Sequence, residues 1–348
     1  MKKFGWKGAL GVLISVVCLY FSFRHFDFAQ AVQLAKHANY GLLLLATIAA
    51  TCMFPLRARR WRTILDPVAP RVAFGPLWRS TAIGVMLTNI LPARAGEIAR
   101  PYALSREVPS VSFSMALASV VVDRVFDAVV VLLLLAVAML SASFPRGVVI
   151  FGHPITAYIR GFAVVPLAAL VVSYALVFFP DRLIRLFELV ARRVHPVVEA
   201  KGRAMLQRFA EGLGVLRHPR HFIAVFCWTL AHWLLQPLAF WLGFRAFGID
   251  VPWTATLFVQ GVIVIAVSVP STPGFIGVFE RGAQAALGVY AIDGTAALTW
   301  AVVFHLISAI PITLFGAYYF ARAGLTMDEI GSANTDGPNT ETSGAPAA

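Results

Sequence analysis

Long apolar runs alternate with short basic clusters along this chain, and the runs have helical rather than strand lengths. Segments 8–23, 38–56, 111–140, 161–179, 222–247 and 296–320 carry few ionisable residues. A bilayer core about 30 Å thick takes roughly 20 residues of helix at about 1.5 Å each, so the pattern predicts six membrane crossings. Two further segments are apolar but interrupted. Segment 75–91 runs into Pro92 and then a charged stretch, and segment 253–290 is broken by Pro270, Pro273 and Gly274. Each is either a pair of crossings or a hairpin that enters and leaves on one side.

Charge placement discriminates between these. Basic residues near helix ends favour the cytoplasm. Residues 1–8 hold three Lys, 57–79 hold six Arg, and 180–221 hold nine Lys or Arg, whereas 24–40 and 141–160 hold two each. The three basic segments are therefore assigned to the inside, and the chain between 75 and 110 must begin and end there. Its return limb carries Arg94, Glu97, Arg100, Arg106 and Glu107. That is too many charges for a lipid-exposed span at about 2.5–3.5 kcal/mol each, which favours a re-entrant hairpin over a second crossing. By the same parity, 253–290 starts outside and opens to the outside. The expected fold is an all-α polytopic membrane protein with six crossings and two opposed broken-helix hairpins related as an inverted repeat, or eight crossings by a simpler count. The basic start at residues 1–7 resembles a signal peptide, but without an A-x-A site it reads as an uncleaved first helix.

Composition agrees with the pattern and removes other classes. Of 348 residues, 59% are hydrophobic and 13% charged, with a mean hydropathy of +0.77, which excludes a soluble enzyme. The net charge of +12 is spent on membrane-side loops rather than on nucleic acid. Cys18, Cys52 and Cys227 lie singly in apolar runs, so neither a disulfide framework nor a metal site is indicated. No P-loop, G-x-S-x-G or H-E-x-x-H occurs, and no cofactor is implied. Residues 1–322 read as one membrane domain, and 323–348, rich in Ser, Thr, Gly, Pro and Asn, as a cytoplasmic tail unable to form a packed core.

The candidate chemistry sits at the breaks and in one charged helix. LPARAGE, residues 91–97, and TPGFIGVFE, residues 272–280, each present Pro, then Gly, then Glu. In the first, Gly96 allows close approach, and Arg94, with its planar fork, is suited to clamp a lipid phosphate. Alternatively Arg94 and Glu97 neutralise each other and lock the hairpin. Arg100 lies on the same limb. In the second break, Thr272, Pro273, Gly274 and Gly277 free backbone groups that are tolerated at depth only where they line a cavity or pack in protein. Glu280 and Arg281 follow, with Glu280 expected to face the cavity. Asp123, Arg124 and Asp127 fall mid-way along 111–140 with one anion in excess, for which Arg94 or Arg281 is a candidate partner. They form either a brace between helices or a network that changes partners during movement. His232 and His305 lie inside spans and read as structural residues, with Gln236 a local partner for His232. The basic segment 181–221 reads either as an amphipathic helix attracting anionic headgroups or as an ordinary connector.

NILPARAGEIARPYAL at 89–104, DRVFD at 123–127, RARRW at 57–61 and VPSTPGFIGVFE at 269–280 together resemble, in order and spacing, the lysylphosphatidylglycerol synthase transmembrane-region family. The resemblance extends over roughly residues 5–322. It implies a polytopic inner-membrane protein that moves, or helps to move, a lipid, with a phosphate-bearing or otherwise amphipathic head, between leaflets; the charge parity above places both termini in the cytoplasm. Bifunctional relatives add a cytoplasmic aminoacyl-transfer domain; its absence here leads us to expect no lipid aminoacylation by this chain. Two other roles remain open: a non-transporting partner of a lipid-modifying or glycosyl-transferring enzyme, and a membrane enzyme using Asp123, Asp127 and Glu97 as acid and base; anionic membrane lipids are the expected partners, and a homo-oligomer is open in every case.

Overall fold

The computed structural model describes residues 16–24, 26–91, 96–147, 149–150, 153–154, 219–268 and 272–326, together with the isolated positions 171, 179, 182 and 185. The expected crossing 161–179, the basic segment 181–221, the tail beyond 326 and Arg94 therefore lie almost wholly or wholly outside the described residues. The described chain is all-α apart from a two-residue antiparallel ladder, Val149–Ile150 with His153–Pro154. After a helical stretch over 16–23 come α1 (Phe28–His37), α2 (Tyr40–Leu65), α3 (Phe74–Ile90), α4 (Gly96–Glu107), α5 (Phe113–Leu140), α6 (Pro219–Ala246), α7 (Trp253–Ser268), α8 (Val278–Gly288) and α9 (Gly294–Arg322). Helices α2, α6 and α9 are long and apolar enough to cross a bilayer. Helix α5 is equally long but carries Asp123, Arg124 and Asp127 in its middle.

Tight starts follow from local capping. The side chains of Asp27, Asn39, Ser112 and Asp293 accept backbone N–H groups in the first turns of α1, α2, α5 and α9, satisfying donors that a helix start leaves orphaned. Two expectations need correction. Segment 24–40 is not merely a loop, because it holds α1. The helix predicted to end at Leu56 continues to Leu65, so Arg57, Arg59, Arg60 and Arg62 stand on α2 and the connection is only 66–73. Pro55 does not stop it, since neighbouring helices can satisfy a backbone group freed by proline. The arginines are good helix formers once neutralised.

Contacts along the helices fix their directions. Helix α2 runs antiparallel to α6: Asn39 N donates to Ala246 O at one end, His232 Nδ1 meets Met53 O midway, and the Arg59 guanidinium lies over the Trp228 ring at the other. Helix α3 runs antiparallel to α9 through Trp78 with Tyr319, Ala82 with Gly316 and Asn89 with Thr313. A Cβ at Gly316 would come 2.4 Å from Ala82 O, so the two backbones touch as small residues allow in membrane bundles. Beyond the first hairpin, Phe240, Phe244, Trp300 and Phe304 interlock α6 with α9, with ring centroids 4.4–5.3 Å apart for each ring against Trp300.

Both interrupted segments are hairpins. Helix α4 folds back on α3, with Gly96 against Thr88 and Gly84, Arg100 against Gly84, and Glu107 paired to Arg79 at the open end. Helix α8 folds back on α7, with Gly282 against Ala266 and Tyr290 6.0 Å from Phe258 between ring centroids. The return limbs have 12 and 11 residues, about 18 and 16 Å of helix, too short to cross a core of about 30 Å. The hairpins enter from opposite ends. The open end of α3–α4 shares its face with the end of α9 through Trp78 and Tyr319. The open end of α7–α8 shares the other, where Thr254 meets Ser141 after α5 and Asp293 precedes α9. Their tips meet inside: Gly274 approaches Asn89 O.

Candidate functional site

The meeting of the tips is built from backbone that cannot continue a helix. Pro273–Phe275 form a single 3-10 turn, and Gly274, Phe275 and Gly277 all have positive φ, a conformation that glycine adopts at little cost. Thr272 Oγ1 donates to Ile276 O at 3.0 Å, closing the turn on itself. Gly277 N then donates to Glu280 Oε2 at 2.6 Å, so this carboxylate satisfies a donor at the start of α8 and places its charge at the helix N-terminus. Its other oxygen, Oε1, lies 2.6 Å from His305 Nδ1 on α9. Glu280 is buried, and the described partners of both its oxygens belong to the protein.

These groups line a cavity of about 480 Å³. Asn89, from the last turn of α3, and Thr313, one partner of its side-chain amide at 2.9 Å, supply polar atoms beside Glu280 and His305. Ile276, Leu306, Ile310 and Leu314 form an apolar side and are 51–65% exposed, so the mouth faces lipid. The volume is within the usual range for a small-molecule pocket, roughly 300–1,000 Å³. An apolar mouth over a few convergent polar groups suits an amphipathic ligand.

The other charged residues form a separate cluster joining α2, α4, α5 and α6. Arg60 is fully buried and forks between two carboxylates, Nη1 to Asp127 Oδ1 at 2.6 Å and Nη2 to Asp123 Oδ1 at 2.5 Å. Arg100 Nη1 reaches Asp123 Oδ2 at 3.0 Å, and its guanidinium stacks 3.9 Å from the Trp61 ring centroid. Trp61 in turn donates to Ser119, and Trp233 Nε1 donates to Asp127 Oδ1 at 2.6 Å. Arg57 lies 3.8 Å from Asp123 and Arg124 3.3 Å from Asp127. Counting these groups, four Arg face two Asp, a balance of +2. The excess anion inferred from α5 by itself is thus more than met, by Arg57, Arg60 and Arg100 rather than by Arg281. Removing one partner of such a buried pair costs about 3–5 kcal/mol, because the other charge is left without compensation. In this arrangement the cluster braces four helices.

The thirteen residues singled out in the sequence therefore separate. Thr272, Pro273, Gly274, Gly277 and Glu280 build the tip and its cavity. Asp123, Arg124, Asp127 and Arg100 belong to the brace. Gly96 serves close approach within its own hairpin, since a Cβ there would fall 1.8 Å from Gly84 O. Glu97 sits half-buried in the first turn of α4. Arg281 points away, exposed, with Nη1 on Gln284 Oε1 at 2.9 Å, and Arg94 lies outside the described residues. Sequence reasoning missed Asn89, Thr313 and His305 in the cavity, and Arg60, Trp61 and Trp233 in the brace. His232 finds the Met53 carbonyl on α2 rather than Gln236 on its own helix. One signal was available: Arg57 and Arg60, three apart, can present two cations on one helical face to Asp123 and Asp127, four apart.

Relatives of this chain are membrane proteins. A UPF0104 membrane protein of Methanothermobacter thermautotrophicus is 23% identical over 318 residues, covering 87% of this chain and 90% of that protein. A second, from Methanocaldococcus jannaschii, is 24% identical over 239 residues, 68% of this chain and 93% of its own. The glycosyltransferase AglD of Haloferax volcanii matches at 29% identity over 119 residues, 34% of this chain but 19% of that protein. The model of the lysylphosphatidylglycerol synthase TM region matches residues 8–316, which takes in both hairpins, the cavity and the brace; the chain belongs to that family.

Proposed function

We propose that this protein carries an amphipathic lipid with a phosphate-bearing headgroup across the inner membrane, the head resting in the cavity where the two hairpin tips meet. The observation that supports this most directly is the cavity itself: irregular backbone from opposite ends of the bundle converges on Asn89, Thr313, Glu280 and His305 behind a lipid-facing apolar mouth. Polar surface at that depth is costly unless it serves a ligand or is packed in protein. Acyl chains remain among Ile276, Leu306, Ile310 and Leu314 while the head occupies the cavity, and the two hairpins open to their own sides in alternation. Arg94, in the segment joining α3 to α4, contributes the cation for the phosphate. The basic end of the bundle and both termini face the cytoplasm in this reading, and the chain performs no covalent chemistry.

The test is leaflet exchange of a fluorescent phosphatidylglycerol in proteoliposomes, comparing the native chain with Arg94→Ala, Glu280→Ala and His305→Ala. Exchange catalysed by the native chain and reduced at least tenfold in the variants supports the reading. Equal leaflet distributions for empty vesicles, native chain and variants overturn it. The match to the glycosyltransferase AglD favours one second reading, a membrane partner that holds a glycosyl-transferring enzyme. That role predicts stable co-purification with such an enzyme and tolerance of substitution inside the cavity.

A further inference from the structure

In the cavity at the hairpin tips, Glu280 and His305 form a carboxylate and imidazole pair whose second ring nitrogen is uncommitted. Nδ1 lies 2.6 Å from Glu280 Oε1, while Nε2 makes no hydrogen bond among the described residues. The ring lines the cavity and lies against Phe279, with centroids 4.4 Å apart, and the His305 side chain is 16% exposed. One proton lies between Oε1 and Nδ1 whichever atom carries it, since two bare lone pairs at that distance would repel. Oε2 is already accepting from Gly277 N. A further proton therefore has its place at Nε2, and taking it up brings the pair from a net charge of −1 to zero.

No neighbouring charge takes over that role. Among the described residues lining the cavity none is Lys or Arg. Arg281 turns away to Gln284. The stretch 16–23 brings Tyr20 and Cys18, the latter within electrostatic reach of Arg281, and Arg24 beyond it lies over the Phe21 ring. Helix α7 has no ionisable side chain, and α3 has Arg79 at its open end, held by Glu107. Arg57, Arg60 and His232 of α2 and α6 belong to the brace or its edge, and Arg245 pairs with Asp250. Asp27 and Asp293 cap α1 and α9, and α1 ends in Lys36 and His37. Glu97 opens α4 in the other hairpin and has partners of its own. Among the described residues none of these groups bonds to the side chain of Glu280 or His305.

A phosphate diester brings a negative charge to a site that already holds the Glu280 carboxylate. With Arg94 supplying one positive charge, as proposed above, one negative charge remains uncancelled at membrane depth, where it is costly. We infer that the cavity binds its anionic head together with one proton, taken from water at Nε2 of His305 while Glu280 holds the ring, so that head and proton form a neutral load. The inference rests on the head occupying this cavity. Head and proton then favour each other by the same factor, because linkage is reciprocal. Histidine suits the task, since its charge ordinarily changes between about pH 5 and 8. Where the empty cavity has lost the proton, the complex holds one proton more than the free cavity, so binding weakens as pH rises, by about tenfold per pH unit.

The experiment is calorimetric titration of the full chain in detergent with dioctanoylphosphatidylglycerol, in two buffers of different ionisation enthalpy, so that protons taken up per lipid are read beside affinity. Dioctanoylglycerol, which lacks the charge, is the comparison. At alkaline pH the native chain is expected to take up about one proton per phospholipid and none with dioctanoylglycerol. His305→Gln should bind the phospholipid weakly at every pH and Glu280→Gln tightly at every pH, both without uptake. A merely structural role for the pair would not give these opposite outcomes, and either variant suffices if the other does not fold. Phospholipid binding by the native chain without proton uptake, or uptake unchanged in the variants, overturns the inference and leaves leaflet exchange standing. Proton-linked binding with no leaflet exchange in vesicles upholds the proton site and overturns translocation instead. Absence of phospholipid binding overturns both.

Discussion

The two hairpins begin from similar residues, a proline, a glycine and a glutamate, yet they are held in different ways. The first is tied down at a distance from its tip. Arg100 reaches Asp123 and the Trp61 ring, and Arg79 grips Glu107, so α4 is bonded to α5 and α3 by charge. The second is held at its tip by local geometry: glycines at positive φ, Glu280 folded back on Gly277, and one contact to His305 on α9. Among the described residues, α8 shows no ion pair comparable to Arg100 with Asp123. A limb pinned by buried ion pairs has to break them to move, whereas one capped on itself can tilt as a unit. The comparison makes the first hairpin the one held by charge and the second the one held by local backbone geometry and packing.

The largest expected effect tests the stabilising side of that contrast. Asp123→Asn leaves the buried Arg60 and Arg100 without their shared carboxylate and should cost about 3–5 kcal/mol, seen as a marked drop in thermal unfolding temperature in detergent; an unchanged midpoint would break the comparison. Gly96→Val should come close to this, because its side chain has no room against Gly84 O and Thr88, and cysteine crosslinking between α3 and α4 would report the hairpin forced open. Glu280→Gln sharpens the other side: it should lower lipid exchange at least tenfold while costing only about 1–2 kcal/mol in stability, since one cap bond is weakened rather than a buried charge stranded. Smaller again is Gly274→Ala. Holding φ near +65° with a Cβ 3.1 Å from Asn89 O should cost about 1–2 kcal/mol and slow exchange severalfold. The smallest is Thr313→Val, which removes one hydrogen bond to Asn89, worth about 1 kcal/mol, and should shift exchange with only a slight drop in the unfolding midpoint.

Much of the architecture was legible because the membrane imposes it. Spans can be read from length, and the opposed hairpins from the parity of basic ends together with the charges on 94–108, all without knowing a single contact. Glu280 was legible as a cavity residue because few roles exist for a carboxylate next to a break. The brace was harder to see for a physical reason. Positive-inside counting treats every arginine as solvated, but Arg60 lies one helical turn beyond Arg57 on a helix that does not end at Leu56, and its partners are more than sixty residues away. Charge sums taken along one helix gave an anion in excess, whereas among the described residues four Arg gather around the two Asp. The role of His305 was hidden likewise: a lone histidine in an apolar run acquires meaning only when Glu280 is folded onto it from another helix.

The seam between α3 and α9 carries a mechanical consequence. Where Gly316 faces Ala82 and the buried Met86 the two rods come into backbone contact, and the seam is further tied at its extremities, by Asn89 on Thr313 and by Trp78 on Tyr319 and Phe315. The first of these ties borders the cavity at the hairpin tips. A side chain added at Gly316 would therefore force the two rods apart between their tied ends.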